Sequence, residues 1–103
     1  MQELKQNKTL KILVVDDDKL ILKLFKTILS NYGFEVETVF NPLDAYSSAK
    51  VFRPDVITLD LMMPALSGWE LCDIFRRDPQ FKKTPIIIVT AKNDTQDREV
   101  ARY

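Results

Sequence analysis

The sequence predicts a single α/β domain built on a parallel sheet with helices on both faces. Two observations lead to this fold class. Short runs rich in β-branched residues alternate with segments whose apolar residues recur at helical spacing, in the order βαβαβαβα. Most of the strand runs are apolar throughout, which is typical of strands buried on both sides in a parallel sheet. The 103 residues are enough for one domain and its core.

The first strand and the first helix are predicted within residues 11–33. Residues 11–15 form a short β-branched run, and apolar residues then recur three or four positions apart through residues 20–29. Gly33 occupies the C′ position, where helices commonly end. Residues 1–10 precede this pattern and are predicted to form a flexible N-terminal arm, which assigns residues 11–103 to the domain.

The second strand and the second helix are predicted from a change in periodicity. Residues 35–39 alternate between polar and apolar side chains, which indicates a half-buried strand near a sheet edge. Asn41 is suited to cap a helix, and Pro42 is suited to its first turn. This helix is expected to end before Pro54, because the residue that precedes a proline disfavours helical geometry.

The remaining predicted elements follow the same alternation. Residues 56–60 form the third strand, and Ser67 and Glu70 have the spacing of a capping box at the start of the third helix. Residues 86–89 form the fourth strand, and residues 94–97 are predicted to open a fourth helix. Right-handed connections between parallel strands then place helices on both faces of the sheet.

Aspartates follow two of the predicted strands. Asp16 and Asp17 come after the first strand, and Asp60 ends the third. Because sites in open α/β sheets form at the carboxyl ends of the strands, these three carboxylates are expected to share one crevice. Carboxylate clusters suit Mg²⁺, which prefers oxygen ligands. The alternative is a cluster of helix N-cap residues, and Asp18 is predicted to be the cap itself.

Composition excludes several function classes. The chain has no histidine, so its own side chains cannot supply a histidine nucleophile, general base or metal ligand. Basic and acidic residues both number 15, and this balance gives no support for binding to nucleic acid or to a membrane surface. Cys72 is the single cysteine, which indicates a reducing compartment. No apolar stretch is long enough to span a membrane, so we expect a cytoplasmic protein.

Three motifs together resemble the receiver domain of response regulators in two-component signalling. The motifs are the aspartates after the first strand, Asp60 followed by Met62 and Gly68, and Thr90 with Ala91 after the fourth strand. They stand in the order and at the spacing of that family, and the resemblance covers residues 11–103. It implies a flavodoxin-like, doubly wound parallel sheet with strand order 2-1-3-4.

The resemblance also implies a role for each matching residue. Asp60 would be the phosphoacceptor, and the donor would be a phosphohistidine of a histidine kinase or of a histidine phosphotransfer protein. Asp16 and Asp17 would hold Mg²⁺ together with Asp60 and the backbone carbonyl of Met62. Thr90 would be the switch hydroxyl that binds the phosphoryl group. Such a domain is a signalling switch rather than an enzyme.

The sequence departs from the family pattern at one place. Receiver domains carry a lysine after a fifth strand, and this sequence reaches Tyr103 without it. The resemblance therefore implies a receiver domain whose fifth strand and last helix are missing. Lys92 lies on a different loop and is not expected to replace that lysine. Residues 86–89 would then form an exposed fourth-strand edge, through which copies could form a homo-oligomer, edge to edge or by exchange of residues 94–103.

Two alternative functions are left open by the residues. A haloacid-dehalogenase-like phosphatase would use Asp16 and Asp18, but the chain is too short for the later acidic motif of that fold, and Asp60 would have no role. An interaction module that works without phosphorylation would use the same fold only as a docking surface. A small-molecule phosphodonor with Mg²⁺ distinguishes these functions from that of a receiver domain.

Gly68 belongs to the motif after Asp60. Taken alone, this glycine predicts a turn.

Overall fold

The computed structural model describes residues 8–91 and 98–102, with the side chains of residues 90, 91 and 98–102 outside the description. Residues 8–10 have no regular secondary structure, and residues 1–7 of the predicted arm lie outside the described part. In chain order, the elements are β1 (Lys11–Val15), α1 (Lys19–Asn31), β2 (Glu35–Val39), a 3₁₀ turn (Pro42–Asp44), α2 (Ala45–Phe52), β3 (Val56–Leu59), α3 (Gly68–Arg77), a 3₁₀ turn (Pro79–Phe81), β4 (Ile86–Ala91) and β5 (Arg98–Arg102).

The sheet has the order β2-β1-β3-β4-β5, and its first four strands are parallel. The predicted flavodoxin-like order 2-1-3-4 is therefore confirmed. In the register of the two central strands, Val15 of β1 lies beside Leu59 of β3. Asp16 and Asp60, the next residue of each strand, consequently emerge at the same level of the carboxyl edge.

The sheet continues beyond β4 with an antiparallel strand that the sequence analysis did not predict. Residues 94–97, the expected start of a fourth helix, lie outside the described residues. Residues 98–102 form β5, so the prediction of a helix is wrong for them. Only residues 92–97 separate β4 from β5. A parallel neighbour needs a crossover of about a dozen residues, whereas a connection of this length suits an antiparallel return.

Because β5 pairs with residues 87–91, β4 is not an exposed edge in this structure. The prediction that copies associate edge to edge through residues 86–89 is therefore wrong. The backbone N–H and C=O groups of β4 pair with β5 of the same chain. They are therefore not left unpaired, which would cost free energy, and they are not available to a second copy.

Local sequence signals explain where the helices begin and end. Asp18 caps α1, and its side chain accepts hydrogen bonds from the backbone N–H groups of the first turn. Gly33 follows that helix with a φ of 94°, a left-handed conformation that glycine adopts without strain. Ser67 and Glu70 form a reciprocal capping box at the start of α3. These predicted boundaries are confirmed.

The two faces of the sheet are covered unequally. On one face, α2 and α3 pack on the strands and form the larger core; on the other face, α1 is the only described helix. Among the described residues, no helix is both long and apolar enough to cross a membrane. The larger core contains Leu13, Val15, Val39, Ala45, Ala49, Ile57, Leu59, Met63, Leu71, Cys72, Phe75, Phe81, Ile86 and Ile88.

A polar network joins α2 to the end of α3. The Tyr46 hydroxyl donates a hydrogen bond to the Asp78 carboxylate, and the Lys50 ammonium lies 2.9 Å from the same oxygen. The Gln80 backbone N–H donates to the other oxygen of Asp78 over 2.8 Å. The hydrogen bonds from Tyr46, Lys50 and Gln80, in that order of size, lower the pKa of Asp78 from 3.8 to about 2.

This network makes stability depend on pH in acid. A carboxyl group whose pKa is lower in the folded state stabilises the fold fully above its unfolded pKa, and the contribution is lost as the pH falls through the folded pKa. We expect Asp78→Asn to reduce the loss of stability between pH 3.8 and about 2. Urea midpoints of the wild type and the variant across this range measure it. Asp73→Asn, on the exposed surface of α3, is the matched control, and a wild-type acid profile in Asp78→Asn would contradict the assignment.

Candidate metal centre

Three aspartates meet at the carboxyl edge of the sheet. Asp16, Asp17 and Asp60 each offer a carboxylate oxygen, and these oxygens all lie within 4.8 Å of one another. Asp16 and Asp60 are 3% and 7% exposed, and Asp17 is half-buried. The sequence predicts that these three residues meet, and the structure brings them together.

Backbone hydrogen bonds hold the two buried aspartates in place. The Asp16 N–H donates to the carbonyl of Val39 over 3.2 Å, and the Asp60 N–H donates to the carbonyl of Val15 over 3.1 Å. On the side chains, Asp16 Oδ1 accepts from the Asp18 N–H over 2.9 Å, and Asp60 Oδ1 accepts from the N–H of Met62 over 3.2 Å. The loops after β1 and β3 therefore fold back onto the carboxylates and fix their orientation.

This arrangement fits a hard divalent cation. Carboxylates this close repel one another when ionised, and burial weakens the screening by water. A divalent ion offsets the repulsion, and Mg²⁺ is bound through a few carboxylates while keeping several water ligands. The half-buried position of Asp17 leaves one side of the cluster open to solvent, as such an ion requires. The three carboxylate donors present here fit such an ion.

The structure describes the other predicted site residues only in part. Asp18 caps α1 as expected, so Asp16 and Asp17 are not needed for that task. Thr90 lies in β4, and because Leu59 pairs with Ile88, its backbone stands one position beyond the level of Asp60. The Thr90 side chain and the whole of Lys92 lie outside the described residues. Met62 contributes a described contact through its N–H, and the predicted role of its carbonyl stays a prediction.

Gly68 has a role that the sequence analysis missed. It was predicted as a turn residue, but it is the buried first residue of α3 and does not have a positive φ. A Cβ atom at this position would lie 2.6 Å from the carbonyl oxygen of Asp60 and 2.9 Å from the Cα of Leu61. The absence of a side chain allows α3 to begin directly against the backbone of the site. The sequence signal for this role was the place of Gly68 in the motif that begins with Asp60.

We expect Gly68→Ala to destabilise the chain by about 1–3 kcal/mol, because backbone atoms of the site loop must shift to admit the methyl group. Moving the carbonyl of Asp60 also disturbs the carboxylate, so Mg²⁺ binding should weaken. Thermal melts with and without Mg²⁺ measure both effects. Gly33→Ala, where no atom lies within 4 Å of the added Cβ, tests backbone strain without a clash. Unchanged Mg²⁺ affinity in Gly68→Ala would show that Gly68 does not support the geometry of the metal site.

A cavity at the end of α3 does not carry the acidic chemistry. It has a volume of about 550 Å³ and is lined by Tyr46, Ile74, Arg77, Asp78 and Pro79, around the network at the end of α3. Its one carboxylate is already bonded to Tyr46 and Lys50. We assign the functional site to the aspartate cluster because three converging ligands, and not cavity volume, are what a metal ion needs.

Comparison with known proteins agrees with the fold and the aspartate cluster. The profile of the response regulator receiver domain family matches residues 12–102. Protein PilG of Pseudomonas aeruginosa is 33% identical over 97 residues, which cover 94% of this chain and 72% of PilG. The DNA-binding response regulator MtrA of Mycobacterium tuberculosis is 36% identical over 87 residues, which cover 84% of this chain and 37% of MtrA.

Solved structures give the same result in three dimensions. The chemotaxis response regulator CheY4 of Vibrio cholerae matches with a TM-score of 0.79 and 34% identity, over 84% of this chain and 72% of that one. The N-terminal domain of a response regulator receiver protein from Methanoculleus marisnigri matches with a TM-score of 0.76 and 34% identity, over 80% of this chain and 67% of that one. With the family profile matching almost its whole length, the chain belongs to the response regulator receiver domain family of two-component signalling.

Proposed function

We propose that this chain is a phosphoacceptor: Asp60 takes a phosphoryl group from a phosphohistidine in a step that depends on Mg²⁺. The observation that carries the proposal is the meeting of Asp16, Asp17 and Asp60, with ligand oxygens within 4.8 Å of one another at the carboxyl edge of the sheet. The donor belongs to a histidine kinase or to a histidine phosphotransfer protein, because this chain has no histidine of its own.

Each residue of the site has its own role in the proposed phosphoryl transfer. An oxygen of Asp60 attacks phosphorus, the P–N bond to the donor imidazole breaks, and the imidazole leaves with the electron pair. Mg²⁺, when bound, neutralises charge between the carboxylates and the transferring phosphoryl group. Asp16 and Asp17 would hold that ion, with the carbonyl of Met62 as a further ligand. The N–H of Met62, already bonded to Asp60 Oδ1, keeps the acceptor oriented.

Phosphorylation would be read out as a change of surface. The backbone of Thr90 lies in β4, beside β3 and one position beyond the level of Asp60. We infer that Thr90 is the switch residue that binds an oxygen of the acyl phosphate. Movement of this residue toward the phosphoryl group would shift the segment that follows β4. The result is a shift between two conformations of one domain, not a catalytic turnover.

Exposed apolar residues around the site support a protein as the donor. Phe40 follows β2, Met62 follows Asp60, and Trp69 lies in the first turn of α3; all three are about half exposed or more. Apolar side chains that stay exposed beside a site commonly mark a protein interaction surface. A phosphohistidine on a protein would meet these residues as it approaches Asp60.

Labelling with a small phosphodonor tests this proposal. The chain is incubated with acetyl phosphate and Mg²⁺, and intact mass spectrometry follows the addition of one phosphoryl group. We expect a single adduct that is lost in alkali and absent with EDTA. Steady turnover without an adduct would support a phosphatase, and neither adduct nor turnover would support an interaction module.

A further inference from the structure

The net charge of zero conceals a separation of charge between the two edges of the sheet. The parallel strands begin, and the helices end, at the edge opposite the aspartates, which we call the amino edge. At the carboxyl edge, the charged residues that the structure describes are acidic except for Lys19: Asp16, Asp17, Asp18, Asp44, Asp60 and Glu70. Apart from the ion pairs Lys8–Asp55 and Lys50–Asp78, the charged residues described at the amino edge are Glu35 and the basic residues Lys11, Arg53, Arg76, Arg77, Lys82 and Lys83.

Helix ends explain only some of these basic residues. Lys50, Arg76 and Arg77 lie in the last turns of α2 and α3, where cations stabilise the free carbonyl groups of a helix. Lys82 and Lys83 lie beyond α3 and its following 3₁₀ turn. Both side chains are exposed, and neither ammonium group has an ion pair or a hydrogen bond among the described residues. Their positive charges are therefore available to a partner.

The loop that carries these two lysines is held in one conformation. The Arg76 guanidinium donates hydrogen bonds to the backbone carbonyls of Phe81 and Thr84, each over 2.8 Å. Pro79 and Pro85 restrict the backbone at the two ends of the loop. A loop fixed in this way loses little conformational entropy when a partner binds, which favours affinity.

A cleft of about 420 Å³ lies beside this loop. Three prolines form its apolar part, and Asp55 is the one acidic residue that lines it. The Asp55 carboxylate does not neutralise the lysines, because Oδ2 accepts a hydrogen bond from the Lys11 N–H over 2.8 Å and Oδ1 lies 3.8 Å from Lys8 Nζ. We call this site the basic cleft; it is lined by residues 54–55, 79–80 and 82–85.

Charge and shape favour an acidic polypeptide segment as the occupant. The ends of α2 and α3 bring the negative ends of two helix dipoles to this edge, whereas phosphates bind at helix N-termini, so nucleic acid and phospholipid are disfavoured. Separate carboxylates can pair with Lys82 and Lys83 while an apolar side chain packs on the prolines. Residues 1–7 carry Glu3 and Lys5, so this segment brings no excess of negative charge to the cleft.

We propose that the basic cleft binds an extended, acidic segment of another polypeptide. Carboxylates of the segment pair with Lys82 and Lys83, and an apolar side chain between them covers the prolines. The cleft is at the amino edge, whereas the aspartate cluster is at the carboxyl edge. The proposal therefore goes beyond phosphotransfer at Asp60 and does not depend on it.

Two synthetic peptides test the proposal. Both have the same length and a central leucine, and they differ only in having glutamates or glutamines on either side of it. Each is labelled and titrated with the 103-residue chain at low salt, and fluorescence anisotropy follows binding. We expect the glutamate peptide to bind about tenfold more tightly, with the difference shrinking as salt is added. Equal affinities, or no saturable binding of the glutamate peptide, would overturn the proposal.

Charge reversals then locate the binding surface. Lys82→Glu combined with Lys83→Glu should remove the preference for the glutamate peptide and keep the wild-type melt, since both side chains are exposed. Lys23→Glu combined with Lys26→Glu makes the same change of charge on the exposed side of α1 and should bind normally. Equal losses in the two double variants would show attraction by net charge alone and would refute the cleft. Asp60→Asn should bind normally, which separates this result from any failure of phosphotransfer.

Three competing occupants have their own tests. Tighter binding of a single-stranded oligonucleotide, or of vesicles with anionic phospholipid, than of the glutamate peptide would overturn the class of partner. Glu3→Gln should leave the affinity unchanged, and tighter binding in this variant would show that the N-terminal segment already holds the lysines. In sedimentation equilibrium, a dimer that is lost only when Lys82 and Lys83 are reversed would place a second copy in the cleft, and either of these last outcomes would overturn the proposed partner.

Discussion

Replacing Asp60 by asparagine is expected to abolish phosphoryl labelling of the chain. The substitution keeps the size of the side chain but removes the anionic oxygen that attacks phosphorus. The loss should reach at least about 10³-fold in rate, as when a nucleophile is removed from other sites. Acetyl phosphate with Mg²⁺ and intact mass spectrometry give the measurement. The fold should survive, because the carboxamide oxygen can still accept the hydrogen bond from the Met62 N–H.

Two further Asp→Asn variants separate the acceptor from its neighbours. Asp17→Asn removes a predicted metal ligand, so it should weaken Mg²⁺ binding by at least about tenfold while leaving labelling possible at high Mg²⁺. Asp44→Asn, an exposed acidic residue outside the cluster, should behave as the wild type. If Asp60→Asn were labelled at the wild-type rate while Asp17→Asn were not, the acceptor would have been assigned to the wrong residue.

Phe75→Ala is expected to cause a large loss of stability. Phe75 is fully buried in the core that α2 and α3 form on the sheet, and its ring lies 5.0 Å from that of Phe81 and 6.1 Å from that of Tyr46. Removing a buried phenyl ring costs about 3–5 kcal/mol. A small domain has only about 5–15 kcal/mol in total, so the variant should be close to unfolding at 25 °C. Urea denaturation measures the change in the free energy of unfolding.

Phe40→Ala makes the same chemical change at a surface position. Phe40 is 47% exposed, and its described ring contact is with the Lys19 ammonium, 4.8 Å from the ring centroid. Its loss should cost about 1 kcal/mol or less. Similar costs for the two variants would mean that the aromatic core around Phe75 does not stabilise the fold as its burial indicates.

The sequence by itself predicted four parallel strands and the composition of the aspartate cluster, and both predictions follow from local patterns. The strand order 2-1-3-4 was implied by the resemblance to receiver domains and not by periodicity. Apolar runs that alternate with helical segments require parallel strands with crossover helices, and the carboxyl ends of such strands meet at one edge. The sequence alone therefore predicts that Asp16, Asp17 and Asp60 lie together. Helix boundaries such as the capping box of Ser67 and Glu70 were predictable for the same reason, since caps act within one turn.

The tertiary structure alone decided the features that depend on distant neighbours. Residues 98–102 form a strand because the open backbone groups of β4 accept them, a need that their own sequence does not reveal. Gly68 is required because α3 begins against the carbonyl of Asp60, a contact that only the packed backbone defines. Asp78 acquires its low pKa from Tyr46, which lies 32 positions away in the chain. In each case, the energy comes from groups that only the folded chain brings together.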